Sequence, residues 1–177
     1  MHLYGTMFNQ YGVTVAQILL TKDVFDGGER EKNALSTIQR LLDRGIIPII
    51  NENDTVSTYE IEFGDNDTLS AHVSVLCGAD LLVILSDTEG LYDSDPRQNP
   101  NARLISSVNE ITDEIRSIAG DSGTWRGTGG MTTKISAAEI AAKAGISTVI
   151  ACGENPRILY DIVEGKPRGT LFNAKKG

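Results

Sequence analysis

Short aliphatic runs alternate with amphipathic helical stretches along most of this chain, and that alternation admits few architectures. The run Leu81-Leu82-Val83-Ile84-Leu85 has no polar interruption and reads as a strand buried on both faces, the pattern of a parallel sheet. Val13 to Leu20 and Ile46 to Ile50 read as strands too. Pro48 places the second at an edge or a strand start, where a missing amide is tolerated. Between them, Glu29 to Arg44 has the spacing of a helix with Ala34, Leu35, Ile38, Leu41 and Leu42 inward and Gly45 as its stop. Leu3, Tyr4, Met7, Phe8 and Tyr11 share one face of an opening helix. Further strands are predicted at Arg103 to Val108, Thr148 to Ala151 and Thr170 to Phe172. Further helices are predicted at Leu69 to Leu76, around Ile111, Ile115 and Ile118, at Ile135 to Ala144, and at Pro156 to Val163. Thr58 to Phe63 alternates like a hairpin arm. The expected fold is α/β, a three-layer sandwich with a mostly parallel central sheet covered on both faces.

Composition narrows the partners. With 177 residues and 40% hydrophobic content, the chain is expected to form one soluble domain over 1–177, large enough for a real core. A net charge of −8 argues against a nucleic-acid or membrane-surface partner, since either would demand a basic face. Cys77 and Cys152 have neither Cys-x-x-Cys spacing nor partner histidines. They read as buried free thiols and not as a metal site, which suits a reducing cytoplasm. No run approaches the length of a membrane span, and the N-terminus lacks a signal-peptide pattern.

The chemistry concentrates at strand ends. Arg126-Gly127-Thr128-Gly129-Gly130-Met131-Thr132-Thr133-Lys134 runs straight into the helical pattern that begins at Ile135. Glycines let backbone approach an anion, first-turn amides point partial positive charge at it, and Lys134 adds a full charge. The plain alternative is a surface turn before an ordinary helix. The spacing fits neither a Walker A loop nor a dinucleotide fingerprint, so the loop by itself indicates a phosphate and no more. After the strand at 46–50 come Asn51-Glu52-Asn53-Asp54 and then Gly64-Asp65-Asn66-Asp67-Thr68. Asn and Asp at such an edge can receive an ammonium group, and Asp67 can cap the following helix. The strand at 81–85 delivers Ser86-Asp87 to the same kind of edge, a hydroxyl and carboxylate suited to nucleotide or metal contacts. Asp93 to Pro100 is an irregular loop, read as a lid or nucleotide-side wall.

Asn51-Glu52-Asn53-Asp54, Gly64-Asp65-Asn66-Asp67, Ser86-Asp87 with Gly90-Leu91-Tyr92, Asp95-Pro96-Arg97 and Gly127 to Lys134 occur in that order. Together they resemble the amino-acid-kinase domain of bacterial glutamate 5-kinases over nearly the whole chain. The resemblance implies transfer of the ATP γ-phosphoryl group to the side-chain carboxylate of L-glutamate, the first step of proline biosynthesis, with Mg²⁺ accompanying ATP. It implies that Asp54 and Asn66 bind the amino acid and that Asp67 organises catalytic lysines. Ser86, Asp87 and Thr128, Gly129, Gly130, Met131, Thr132, Thr133 and Lys134 are then the ATP site, with Lys134 touching the transferring group. Family members more often carry Thr at the position of Ser86 and Ser at that of Thr132; both exchanges keep the hydroxyl. The family's Lys-x-Gly-x-Ser strand and its later Ser-Gly-Ala loop have no match here. The resemblance therefore predicts a kinase domain lacking N-terminal strands, with no second domain. It also implies proline feedback, a homo-oligomer and a cytoplasmic location.

The residue types suit this chemistry on their own terms. A carboxylate attacking a phosphate is anion meeting anion, so catalysis must come from positioning and positive charge. No general base is required, because the acceptor carboxylate is already ionised near neutral pH. Two other readings remain at this stage. One is a family member acting on acetylglutamate, aspartate, carbamate or a nucleoside monophosphate. The other is a non-catalytic module that binds nucleotide or proline.

Overall fold

Glycines set the hand-over from helix to strand throughout the chain. Each takes a positive φ directly after a helix, where an L side chain would be strained. In a computed structural model, which describes residues 1–56, 65–121 and 130–175, helix α2 (Glu29–Leu42) ends this way. Gly45 has φ +67; its N–H bonds to Leu42 O, and the Ile46 N–H reaches back to Leu41 O, both at 2.9 Å. The same pair of bonds closes α1 (His2–Asn9) at Gly12, α3 (Asn66–Cys77) at Gly78, α5 (Met131–Lys143) at Gly145 and α6 (Ile158–Val163) at Gly165. The helix stop predicted at Gly45 is therefore one instance of a repeated device.

The chain forms two compact units, Met1–Leu69 and Ser70–Gly177. In the first, β1 (Val15–Leu20) and β2 (Ile47–Glu52) pair in parallel, from Val15 opposite Ile47 to Leu20 opposite Glu52. Pro48 sits in this ladder opposite Ala16, second in its strand. A short 3-10 turn, Lys22–Phe25, leads from β1 towards α2. Ile38 on α2 is 1% exposed, a burial that contributes roughly 2 kcal/mol. The inward face expected for α2 is narrower than its pattern: Leu42 is exposed, because the helix ends there and its side chain meets solvent at the last turn. Strand β1 is likewise only partly buried, with Leu19 exposed and Leu20 covered. On α1 the apolar stripe is shorter than expected: Leu3, Tyr4 and Met7 face solvent, as does Tyr11 in the turn beyond the helix.

The second unit is layered. Its sheet runs in the order β3 (Leu81–Ser86), β5 (Ser147–Cys152), β6 (Thr170–Phe172), β4 (Ser107–Val108). β3 and β5 are parallel, as are β4 and β6, whereas β5 and β6 are antiparallel. One face packs Leu82, Ile84, Ile150 and Phe172 against α5 and against Ile115 and Ile118 of α4 (Asp113–Asp121). The other packs Val149 and Ala151 with Ile162 and Ile158 of α6. Helix–sheet–helix layering, as predicted, is thus present in this unit, and β5 is its most buried strand. Alanines make the close approach of α5 possible: Ala137, Ala138 and Ala141 are fully buried.

Three further expectations change. Among the described residues the strands fall into two sheets, and the sheet of the second unit is mixed. The strand expected over 103–108 shrinks to Ser107–Val108, because Leu104 makes only an isolated antiparallel bridge to Tyr92. Cys77 and Cys152 are free but half-buried, and burial pushes the Cys77 thiol pKa up. The hairpin arm expected at 58–63 lies outside the described residues. Among those described, no helix is long and apolar enough to cross a membrane.

Candidate functional site

Strand β3 ends at Ser86, and the chain then turns away from the sheet into a long loop that returns at Ile105. The loop is a small hairpin. Ile105 N–H bonds to Leu91 O at 2.8 Å, Asp93 N–H to Arg103 O at 3.0 Å, and Arg103 N–H to the Asp93 carboxylate at 2.9 Å. That last bond holds the Asp93 carboxyl below the usual range. Facing the loop is the N-terminus of α5, whose N-cap is Gly130, a residue with no side chain to cap the first-turn amides. A helix start of this kind carries first-turn N–H groups and the positive end of the helix dipole, a combination that favours an anion.

Between loop and helix lies a cleft of about 390 Å³, lined by Ser86 to Tyr92, by Ser94 to Arg97, and by Gly130, Met131 and Lys134. Lys134 is 8% exposed, held in the first turn of α5 with its backbone N–H towards Gly130 O. Thr133 donates its hydroxyl to Gly130 O at 2.8 Å, and Thr132 is exposed. Ser86 donates to the Asp87 carboxylate at 3.1 Å. On the loop wall, Asp95 receives Arg97 Nε and Nη2, each at 3.0 Å, and the Arg97 backbone N–H at 2.9 Å. The Arg97 guanidinium thereby holds the Asp95 carboxyl low, and is itself held charged by Asp95, with a smaller contribution from Asp87. Tyr92 OH donates to Glu89 at 2.6 Å, which pushes the phenol pKa up.

Of the residues singled out in the sequence, Ser86, Asp87, Gly130, Met131 and Lys134 therefore line one cleft. Thr132 and Thr133 lie on the same first turn of α5 but do not line it, and Thr128 and Gly129 fall outside the described residues. Tyr92, Asp95 and Arg97 belong to the ordered motifs of the sequence but carry no role there beyond a loop wall, and Glu89 is not singled out at all. What marked the wall was the delivery of that loop by a buried strand.

In the first unit, Asp54 is exposed in the turn that follows β2. Asn66 is exposed and Asp67 half-buried at the start of α3. That helix begins three residues before the predicted Leu69, and this changes its cap. Asp65, not Asp67, closes the first turn, accepting the Thr68 N–H at 2.7 Å and the Thr68 hydroxyl at 2.9 Å. Asp67 lies inside the first turn instead, where capping does not explain it.

This arrangement, a strand end and a glycine-started helix around a cleft with a buried lysine, can be set beside known proteins. A model described as the Amino acid kinase family matches residues 1–152. The chain belongs to the amino acid kinase family. Among its relatives in that family, glutamate 5-kinase of Clostridium perfringens is 52% identical over 181 aligned residues, covering 100% of this chain and 67% of the relative. Glutamate 5-kinases of Photorhabdus laumondii and Serratia marcescens are each 52% identical, covering 97% of this chain but 46% and 47% of their own lengths. The chain thus spans about half to two thirds of the relatives it matches. Among solved structures, UMP kinase of Bacillus anthracis superposes with a TM-score of 0.65 at 16% identity, over 99% of this chain and 64% of that one. Isopentenyl phosphate kinase of Thermoplasma acidophilum gives 0.63 at 18%, over 93% and 62%. At such identities these structures attest an amino acid kinase fold alone.

Proposed function

We propose that this chain carries the phosphoryl-transfer machinery of an ATP-dependent glutamate 5-kinase, forming γ-glutamyl phosphate from L-glutamate as the first step of proline biosynthesis. The observation that supports this most is the cleft itself, with Lys134 and the α5 N-terminus on one side and the Ser86-to-Arg97 wall on the other, in a chain 52% identical to glutamate 5-kinases.

In this reading ATP lies in the cleft with its phosphates at the start of α5. The amides there and the Lys134 ammonium offset charge that grows on the transferring group. Water exclusion would strengthen both, and the low exposure of Lys134 supports such a setting. Mg²⁺ would travel on the triphosphate and neutralise part of it. Ser86 and Asp87 supply a hydroxyl and a carboxylate for the nucleotide's sugar or metal, and Thr128 to Thr133 complete the phosphate loop. Asp54 and Asn66 are proposed to hold the amino acid through its ammonium and α-carboxylate, and Asp67 to organise lysines. A chain that takes ATP and glutamate fits the cytoplasm. Proline, which also carries an amino group and an α-carboxylate, would compete for the amino-acid site, and a homo-oligomer is the expected assembly.

The proposal covers residues 1–177 as a single amino-acid-kinase domain. ADP release by the chain with Mg-ATP and L-glutamate tests it, with acetylglutamate, aspartate and UMP in parallel. Glutamate-selective turnover supports the proposal, and equal or greater turnover with one of the other acceptors rejects it.

A further inference from the structure

We infer that Thr170, on the terminal strand β6, is a positioning residue that fixes the nucleotide wall of the cleft by fastening both ends of its loop with one hydroxyl. Thr170 is 0% exposed. Its Oγ1 accepts the Leu91 N–H at 2.8 Å and donates to Ile105 O at 2.7 Å. Leu91 and Ile105 are the two residues at which the loop hairpin closes on itself, so the hydroxyl sits where the outgoing and returning arms meet. The bonds span 79 and 65 positions of sequence. Thr170 also lies beyond the segment matched by the family model, which stops at 152.

The fit on the loop side is tight. A Cβ at Gly90 would stand 2.5 Å from Thr170 Oγ1 and 3.0 Å from its backbone N, and Gly90 itself has φ +156. Only a glycine lets the backbone approach the hydroxyl this closely. Gly90, Leu91 and Tyr92 line the cleft, and Ser94 to Arg97 continue the wall from them. A hydroxyl uses its single proton in one direction only; here it goes to Ile105 O, leaving a lone pair for Leu91. Valine would keep the shape and remove both bonds, leaving the Leu91 N–H, on a residue 1% exposed, without that partner. An orphaned buried donor is costly enough for the loop to shift and seek another. The shift would reach the wall that meets nucleotide, whereas Lys134 and the α5 N-terminus would stay in place.

This inference rests on the nucleotide reading of the cleft and is tested without glutamate. Mg-ATP dissociation constants would be measured by equilibrium titration for the 177-residue chain and for Thr170→Val and Thr170→Ser, each checked for folding by its melting transition. Thr170→Val is expected to weaken ATP by about 10-fold, and Thr170→Ser, which keeps both bonds, by less than about 2-fold. Serine also loses a buried methyl, so a merely structural role would lower both melting temperatures and leave ATP affinity unsplit. Equal affinities in the folded variants, or equal losses, would overturn the inference. Should Thr170→Val not fold, Gly90→Ala presses on the same contact from the loop side. A loss of about 10-fold is expected there too, and an unchanged constant would count against the latch. A parent chain that binds no ATP overturns it outright, whereas ATP binding without glutamate turnover leaves the latch standing and removes the kinase proposal alone.

Discussion

Lys134 meets two demands that oppose each other. The proposed phosphate chemistry needs its charge, while its position in α5 buries its stem. In the sequence it stands only as a full charge beside the glycine run; at 8% exposure the aliphatic stem is part of the interior. Lys134→Met, which keeps the stem and removes the charge, is therefore the cleaner probe. Its kcat is expected to fall by about 10³-fold with a melting temperature within a few degrees of the parent. Lys134→Ala should lose the same activity and also melt lower, by the cavity it opens. Near-normal turnover in the methionine variant would show that the lysine assignment is wrong. Lys134 was legible because a charge in the first turn after a glycine run follows from local spacing. Thr170 was not, since its partners lie 65 and 79 residues away and nothing beside it in sequence announces them.

At the level of elements, most helices and strands are legible in the sequence, but their ends and exposed faces come from tertiary context. Glycine stops are encoded locally and were readable, as at Gly45. The start of α3 was misplaced because both Asp65 and Asp67 are good caps, and only geometry shows which one the Thr68 N–H meets. Asp65→Ala should cost about 1 kcal/mol of stability, read as a lower urea midpoint. Asp67→Ala should leave that midpoint closer to the parent's, and a larger loss from Asp67 would reverse the cap assignment. Between α4 and α5, Glu139 accepts Arg116 Nη1 at 2.7 Å and pairs with Lys143 at 3.1 Å. First Arg116 and then Lys143 draw its pKa down from 4.5 to about 2. A depressed carboxylate pKa stabilises the fold at pH above its unfolded value, and the contribution disappears as pH falls through the folded one. Glu139→Gln should therefore melt below the parent at pH 7, with the gap closing between about pH 4.5 and pH 2. A gap that is constant across that range would mean the pair contributes nothing through ionisation. Arg116 is well exposed, so added salt should shrink the gap at pH 7.

For the molecule as a whole, the alternation of strands and helices gave the α/β class, and the ordered motifs led to the amino acid kinase family. Neither could give the order β3-β5-β6-β4 or its antiparallel pair, because strand order depends on contacts between segments distant in sequence. The cleft is a product of that order: β3 delivers its loop, α5 starts beside it, and β6 returns to pin the loop at Thr170. In the proposed reaction this assembly moves a phosphoryl group from ATP to the side-chain carboxylate of glutamate. Trapping the acyl phosphate with hydroxylamine tests it most directly, by measuring γ-glutamyl hydroxamate against ADP with the 177-residue chain, Mg-ATP and L-glutamate. Hydroxamate and ADP are expected in equal amounts, dependent on L-glutamate and lost in Lys134→Met. ADP released without hydroxamate, or hydroxamate formed equally well by the methionine variant, would contradict that reaction.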